Sequence, residues 1–334
     1  MEQPTTIGVD LAKTVFQVHG VNQTGKAILK RKLRRNQVLD FFAGLEPCLV
    51  GLEACAGAHY WARELSALGH EVRIMPPSYV KPYVKRGKTD AADAEAICEA
   101  VTRPTMRFVP VKSAKRQAAL LKHKTRDFLV RQRTQLVNTI RAHLSEFGIV
   151  VAKGIHNVDR LLKAAKDLPE AARSAVDMLA NQLRETQEKI DDLTARIEAA
   201  QKADPLARCL ATIPGIGAVT ASAISATTPQ VDNFRSARDY AAWLGLTPQP
   251  HSSGGKERLG RISKAGNRYL RRLLYLGAMA QISARRYRRP GDDWLWRMLE
   301  KKPVKVVAVA LANRMARVVW ALIRSGESYR TNPA

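Results

Sequence analysis

Residues 5–77 alternate short β-rich runs with helical runs, and this alternation constrains the fold more than any other feature. The Gly25 turn and the Pro76-Pro77 pair separate runs of different periodicity. The pattern predicts strands at 6–10, 15–21, 27–33, 49–53 and 72–75, and helices at 38–45 and 59–68. A β-hairpin followed by β-α-β units predicts a mixed sheet with helices on its faces, and hence an α/β domain over residues 1–112.

The rest of the chain is predicted to be all-α, in two further domains. Residues 113–147 contain no Gly or Pro and carry apolar side chains in helical register, and a second long helix is expected at 171–202. Its apolar positions recur every seven residues, at Val176, Leu183, Ile190 and Ile197. We therefore expect an antiparallel helical hairpin, or a coiled coil to a partner subunit, over 113–204. A helical domain over 205–334 follows, interrupted by a Gly-rich and Ser-rich loop at 252–260.

The charge of the chain indicates a polyanionic partner. Lys and Arg number 55 against 30 Asp and Glu, a formal net charge of +25. Such an excess repels itself unless phosphates neutralise it, which makes nucleic acid the expected partner. The amino terminus lacks the pattern of a signal peptide, and cations interrupt the apolar stretch at 304–323, so we predict a cytoplasmic protein without a membrane partner. The four cysteines and seven histidines lack metal-ligand spacing, so neither zinc nor disulfides are predicted.

Four acids in the first hundred residues form the main candidate site. Asp10 and Glu53 each end a predicted strand, and Asp90 and Asp93 open a predicted helix that Thr89 caps. Adjacent strand ends share one crevice and helical residues three apart share one face, so the four side chains are expected to converge. Oxygen ligands alone select Mg²⁺ or Mn²⁺, and such ions activate the attacking oxygen and stabilise the leaving oxygen in phosphodiester cleavage.

Each acid also has an ordinary structural explanation. Asp90 and Asp93 suit the first turn of a helix, where carboxylates offset the positive end of the dipole. Glu53 is compatible with a solvated strand end, and Asp10 with a turn. The joint order of the four acids is much harder to explain in this way, and it favours the metal site.

The segments around these acids, 8–13, 51–54 and 88–94, resemble the motifs of the DEDD insertion-sequence transposases, the IS110 family with its IS1111 branch. The resemblance extends over nearly the whole chain. It implies a ribonuclease-H-like, Holliday-resolvase-like amino-terminal domain with Asp10, Glu53, Asp90 and Asp93 as metal ligands. It also implies action on double-stranded DNA in a homo-oligomer, dimer or tetramer, near the bacterial nucleoid. A structured guide RNA encoded by the element would supply sequence choice by base pairing.

Segments 241–248, 251–256 and 262–272 are similar to the second half of that family. The resemblance implies a loop serine before glycine as a nucleophile that forms a covalent link to DNA. Ser253, beside Gly254, is our candidate, and Ser252 is the reserve. A Gly-rich loop lets a phosphate approach the backbone. The sequence Ser252-Ser253-Gly254-Gly255 would also suit an inert linker.

The carboxyl-terminal domain carries several candidate contacts to nucleic acid. No Asp or Glu occurs from Arg258 to Gly291, which favours a phosphate-binding surface over a merely solvated face. Segment 213–221 resembles the hairpin of a helix-hairpin-helix element, whose glycines let amides meet a phosphate; a tight helix-helix turn uses the same residues. The tryptophans are interpreted as packing residues rather than base-stacking platforms. The predicted contacts are Lys88, Gly215, Gly217, Lys256, Arg258, Arg261, Lys264, Arg268, Arg271 and Arg272.

The leading hypothesis is a transposase or recombinase that cuts and rejoins DNA through the acidic tetrad and a serine. The first alternative is a metal-dependent junction resolvase or nuclease that uses the acids alone. A sugar-kinase or actin-like ATPase is suggested by residues 10–14, but no second phosphate loop follows and the positive charge argues against it. A non-catalytic nucleic-acid-binding protein is the remaining alternative, and it requires that no metal binds.

Overall fold

Five strands near the amino terminus form one mixed sheet. The computed structural model describes residues 2–85, 87, 89–251, 255–256, 258–285 and 293–330. In those residues the strands are β1 (Thr6–Asp10), β2 (Val15–Val21), β3 (Ala27–Arg34), β4 (Leu49–Glu53), β5 (Glu71–Met75), β6 (Pro248–Pro250) and β7 (Leu259–Ile262). The strand order in the five-stranded sheet is β3-β2-β1-β4-β5. β2 is antiparallel to both β1 and β3, whereas β4 runs parallel to β1 and to β5. The predicted hairpin and β-α-β order are therefore present.

Thirteen α-helices occur in the described residues. They are α1 (Val38–Ala43), α2 (Ala58–Ala67), α3 (Pro77–Val80), α4 (Asp90–Val101), α5 (Ala114–Ser145), α6 (Val158–Lys163), α7 (Glu170–Ala203), α8 (Pro205–Leu210), α9 (Ala218–Thr227), α10 (Ala237–Trp243), α11 (Arg268–Arg285), α12 (Trp294–Lys301) and α13 (Val304–Ser325). The bounds of α4 match the prediction, and the Thr89 hydroxyl caps it by accepting from the Ala92 amide at 3.2 Å. The mixed α/β beginning and the mostly helical remainder agree with the predicted class.

The chain divides into two compact units, residues 1–117 and 118–334. The first unit contains the five-stranded sheet. One face of that sheet carries Ile7, Val9, Val50 and Leu52, which are fully buried in a core shared with α1 and α2. The other face is covered by α4, whose Ile97 and Val101 belong to a second, smaller core. The sheet is thus enclosed on both faces, as expected for parallel strands such as β1, β4 and β5.

The second unit begins within α5, which pairs with α7 in antiparallel orientation. The Arg126 guanidinium donates to the Thr194 hydroxyl at 2.7 Å, and Arg133 donates to Gln187 at 2.7 Å. As the residue number rises on one helix it falls on the other, which defines the antiparallel hairpin. The four heptad positions of α7 named above are all buried.

Helices α8, α10, α11 and α12 pack against α13. The inner face of α13 carries Val307, Leu311, Met315 and Val319, all buried in the largest core of the unit. Among the described residues, α13 is the helix that is long and apolar enough to cross a membrane by length and composition. The predicted loop at 252–260 differs from expectation at its end, because β7 begins at Leu259 and pairs with β6.

Candidate functional site

Asp10 and Glu53 end two strands that lie side by side. β1 and β4 are parallel, and Val9 is the register partner of Leu52. The next pair in this register is Asp10 and Glu53, at the carboxyl edge of the sheet, where neighbouring strands are about 4.8 Å apart. Both acids are half-buried. The structure therefore brings the two strand-end carboxylates to one edge.

Both carboxylates belong to the face of the sheet that α4 covers. Side chains alternate between faces along a strand, and Val9 and Leu52 point into the core on the α1–α2 side. Their neighbours Asp10 and Glu53 therefore belong to the opposite face, with Gly8 and Gly51. A Cβ on Gly8 would lie 2.2 Å from the Ala94 carbonyl oxygen, so α4 packs directly on the β1 backbone.

The direction of α4 places its first turn near the same edge. The Cys98 thiol lies 3.6 Å from the Thr6 carbonyl oxygen, while Ala94 lies over Gly8, so α4 runs antiparallel to β1. Four helical residues advance about 6 Å and two strand residues about 6.7 Å, so the two elements stay nearly in step. Continuing the pattern from Ala94 and Gly8 directs the first turn of α4 towards the end of β1. On β4, Ile97 lies against Gly51, which directs that turn towards the end of β4 as well.

The acids do not form a closed metal cluster in this structure. No group of three or more His, Cys, Asp or Glu side chains within the described ranges is arranged to hold a metal ion. Asp90 is exposed and Asp93 half-buried. The donor set nevertheless suits a hard divalent cation, because every candidate ligand is a carboxylate oxygen. Residues Asp10 and Glu53 share an edge, and Asp90 and Asp93 lie on the helical turn that faces it.

The negative charges of the two strand-end acids affect the pKa of Cys55. Burial raises the pKa of the Cys55 thiol, and the negative charges of Glu53 and Asp10 raise that pKa further. Both carboxylates therefore lie near the same thiol, which supports their proximity. Sequence reasoning missed Cys55, although its position two residues after a strand-end acid was a signal that could have identified it.

A basic pocket in the first unit was also missed. It has a volume of about 650 Å³, and its lining includes Lys13, Arg34, Arg35 and Trp61. The Arg35 guanidinium lies 5.0 Å from the Trp61 ring centroid. The cations come from the β1–β2 turn and the end of β3, so only the pairing of the strands brings them together.

In the sequence, the candidate serine falls between β6 and β7. The His251 amide donates to the Arg258 carbonyl at 2.8 Å, which continues the hairpin beyond β6. A Cβ on Gly260 would lie 2.5 Å from His251 Nε2, so the imidazole packs over the glycine of the opposite strand. Ser252, Ser253 and Gly254 lie outside the described residues, and so does Lys88.

The base of this hairpin is fixed by tight backbone packing. Gly266 has φ +68°, and a Cβ there would lie 1.9 Å from the Trp243 carbonyl oxygen. The Arg271 guanidinium donates to the carbonyl oxygens of Leu244 at 2.9 Å and Ala265 at 2.7 Å. The predicted DNA contact Arg271 therefore joins two loops of the protein.

The other predicted cations fall into two groups. Arg272 pairs with Asp127 and lies over the Tyr269 ring, so its charge is engaged within the protein. The rest lie on the hairpin or the chain that leaves it, and their side chains are exposed. They are Lys256, Arg258, Arg261, Lys264 and Arg268.

The helix-hairpin-helix-like turn contains Gly215, which has no room for a side chain, and Gly217, which faces open space. Gly215 has φ +78°, and a Cβ there would lie 2.7 Å from the Gly277 carbonyl oxygen on α11. Gln281 anchors the same turn by donating to the Pro214 carbonyl at 2.8 Å. Gly217 precedes α9, and no described atom lies within 4 Å of a Cβ placed there. Gly217 is thus the glycine whose surroundings leave room for a phosphate.

Two segments of the chain match family models, and they coincide with the two candidate centres. Residues 7–149 match the DEDD model of IS110 elements, described as "Transposase", and residues 207–290 match "Transposase IS116/IS110/IS902 family". A putative transposase of Sinorhizobium fredii is 48% identical, over 99% of this chain and 87% of that protein. A probable family 20 transposase of Pseudomonas aeruginosa is 46% identical, over 97% and 98%. The transposase for element IS1111A of Coxiella burnetii is 37% identical, over 99% and 92%.

The chain belongs to the IS110/IS116/IS902 family of DEDD transposases.

The transposase is therefore an enzyme of insertion-sequence DNA, and the resemblance drawn from its motifs is confirmed at the level of the family. The first matched segment spans Asp10, Glu53, Asp90 and Asp93. The second spans the β6–β7 hairpin and its exposed cations. A DEDD transposase typically uses a divalent metal, which agrees with the carboxylate donor set of the first unit.

Proposed function

We propose that this transposase cuts and rejoins DNA with two centres, a divalent-metal site at the carboxyl edge of the sheet and a serine nucleophile on the β6–β7 hairpin. The observation that carries the first centre is the shared edge of Asp10 and Glu53 with the first turn of α4 facing it. The strand order and directions of the sheet support a ribonuclease-H-like assignment of this unit.

Asp10, Glu53, Asp90 and Asp93 would hold Mg²⁺ or Mn²⁺. When bound, the ion would neutralise phosphate charge and lower the pKa of an attacking water or hydroxyl. The acids themselves fix where the scissile phosphate lies, because their position follows from strand register and from the packing of α4. Gly8 and Gly51 are required for this packing.

In the second centre, the Ser253 hydroxyl oxygen attacks a phosphorus atom of the DNA backbone. An O–P bond to serine forms as the bond to one strand oxygen breaks, and that oxygen leaves as a hydroxyl after accepting a proton. The serine proton passes to a base, for which exposed His251 is the nearest candidate in sequence. A strand hydroxyl then attacks the phosphoserine, rejoins DNA and releases the serine. One phosphodiester replaces another at each step, so no external energy source is required.

Charge governs how the substrate is held. Lys256, Arg258, Arg261, Lys264 and Arg268 would contact phosphates beside the hairpin, and Lys88 and Gly217 would provide further contacts. Binding through such contacts should fall steeply with salt. We further propose a homo-oligomer, dimer or tetramer, whose α5–α7 hairpin takes part in a coiled coil. An element-encoded guide RNA would select sites on double-stranded DNA at the nucleoid.

Trapping of a covalent protein–DNA adduct tests this function. The protein would be incubated with supercoiled DNA, with and without Mg²⁺ and element-derived RNA, and then denatured. We expect an adduct with wild type and with Ser252→Ala, and none with Ser253→Ala. Cleavage that persists in Ser253→Ala without any wild-type adduct would instead support the nuclease that uses the acids alone.

A further inference from the structure

Helix α13 has an outer face that its own unit leaves uncovered. Its inner face is buried, as described above, and its outer face carries further apolar side chains between cations. Val306 is 50% exposed, and Val309, Ala310 and Ala321 lie along the same side of the helix. Three cations, Lys305, Arg314 and Arg317, lie on this side as well, so the outer face combines exposed apolar groups with positive charge. Such a surface suits an anionic partner that also presents apolar groups.

This face forms the floor of a groove of about 1300 Å³, which we call the α13 groove. Its walls come from the β6–β7 hairpin, through Pro248 and Ile262, and from Trp294 and Trp320. The volume exceeds the range of about 300–1,000 Å³ common for small-molecule pockets. The groove is large enough, and extends far enough along α13, to hold a segment of a polymer chain.

The groove combines aromatic rings with positive charge. Arg261, Lys264, Lys305, Arg314 and Arg317 line it, and none of the described lining residues is acidic. The Arg314 guanidinium lies 5.3 Å from the Trp294 ring centroid. Apolar and aromatic surfaces interleaved with cations are how proteins hold unpaired nucleotides, with bases on rings and phosphates on cations.

We propose that the α13 groove binds an unpaired stretch of the DNA strand on which the transposase acts. Double-stranded DNA presents its phosphates to a partner and hides its bases, so it would leave the apolar floor uncovered. A nucleic-acid strand brings phosphates to the five cations that line the groove, which favours it over an uncharged or basic protein surface. This proposal departs from the interpretation of the tryptophans as packing residues alone, since Trp294 and Trp320 pack on the core and also line the groove.

The choice of DNA over RNA rests on the proposed function. The groove is bordered by Gly260 and Arg261 of β7, the strand that follows Ser253 in the sequence. A DNA strand that is cut and rejoined must separate from its complement, and its unpaired bases would lose stacking in water. The groove would replace that stacking.

Binding of labelled oligothymidine to the full-length protein tests the proposal. Fluorescence anisotropy and tryptophan quenching would be recorded in EDTA, so that no cleavage occurs. Val306→Asp and Arg317→Ala alter the groove, while Met178→Asp and Arg160→Ala alter exposed residues on α7 and α6 as matched controls. Circular dichroism would verify that each variant is folded.

We expect oligothymidine to bind wild type, and each groove variant to weaken binding about tenfold while the controls stay within about twofold. Equal weakening by the control variants would overturn the proposal. So would tighter binding of the matching oligouridine or duplex. A change of oligomeric mass in Val306→Asp with unchanged oligothymidine binding would show that the face joins copies of the chain.

The adduct assay separates this inference from the serine chemistry. Ser253→Ala should bind oligothymidine as wild type does while forming no adduct. If wild type forms the adduct but the groove variants bind oligothymidine as tightly as wild type, the groove proposal fails and the serine assignment stands. If the groove variants weaken binding but no adduct forms, the serine assignment fails while the groove still binds a single strand.

Discussion

Gly8 of β1 and Ala94 of α4 approach so closely that a single added methyl group on Gly8 would meet the Ala94 carbonyl oxygen at 2.2 Å. This approach determines where the first turn of α4 lies relative to the ends of β1 and β4. The placement of Asp90 and Asp93 relative to Asp10 and Glu53 thus depends on a residue that carries no functional group.

Gly8→Ala should therefore destabilise the first unit and reduce activity together. The added carbon meets helix backbone, which has no side-chain freedom to yield, so we expect a loss of at least about 1–3 kcal/mol. Denaturant unfolding and DNA cleavage would be measured on the same preparation. Gly44→Ala is the matched control, because its Cβ would lie 3.6 Å from the nearest atom. Comparable stability in the two variants would refute the close packing of α4 on β1.

Asp10→Asn and Glu53→Gln should strongly reduce DNA cleavage and leave the fold intact. Each change removes one anionic ligand at the sheet edge, so cleavage should fall by about a hundredfold or more, about 3 kcal/mol in barrier. Asp40→Asn on the exposed side of α1 is the control. Cleavage rates would be measured across Mg²⁺ concentrations. Full activity of either edge variant would exclude that acid as a ligand.

Substitutions of Arg271 and Arg268 should have different effects on stability and DNA binding, although both residues lie in α11 and both were predicted to bind DNA. Arg271→Ala removes charged hydrogen bonds to two loop carbonyls and should cost about 1–3 kcal/mol of stability. Arg268→Ala, at an exposed position, should leave stability unchanged and lower the salt dependence of DNA binding by about one ion. Thermal unfolding and salt titrations would separate them. Identical behaviour of the pair would contradict these roles.

His123 should make the second unit sensitive to acid. Its ring is buried beside the Ser222 hydroxyl at 3.1 Å and the Tyr269 hydroxyl at 3.4 Å. Burial, together with Arg126 and Lys122, lowers the pKa of His123 to about 4. The unfolded chain then binds a proton more readily than the folded chain. Stability is therefore complete above pH about 6.5 and falls as the pH drops towards 4, by a few kcal/mol at most.

Unfolding in denaturant between pH 7 and pH 4 checks this expectation. His123→Gln should flatten the dependence on pH, whereas the exposed His143→Gln should retain it. An unchanged slope in His123→Gln would mean that other groups dominate.

The sequence was sufficient to predict the frame of the candidate site. β1 and β4 end at the predicted acids, and α4 begins at Asp90 after its Thr89 cap, because strand periodicity and capping are local signals. The proximity of Asp10 and Glu53 follows from parallel pairing, which the β-α-β order already predicted.

Long-range contacts were beyond a local pattern. Arg271 and Arg272 stand in a run of cations, and nothing nearby in the sequence reveals that one joins two loops and the other meets Asp127. Gly8 and Gly51 are likewise needed for close approach only once α4 is known to cross them. The α13 groove was missed because the cations of α13 were interpreted only as interruptions of an apolar stretch, and because the walls of the groove come from distant parts of the sequence.

The metal site at the sheet edge is the central claim, and the anomalous scattering of Mn²⁺ in crystals of the protein tests it most directly. We expect a peak bonded to carboxylate oxygens of Asp10 and Glu53 and of at least one acid in the first turn of α4, and its loss in Asp10→Asn. Saturating Mn²⁺ that gives no peak at this edge, or a peak bound elsewhere while the enzyme cleaves DNA, would contradict the account.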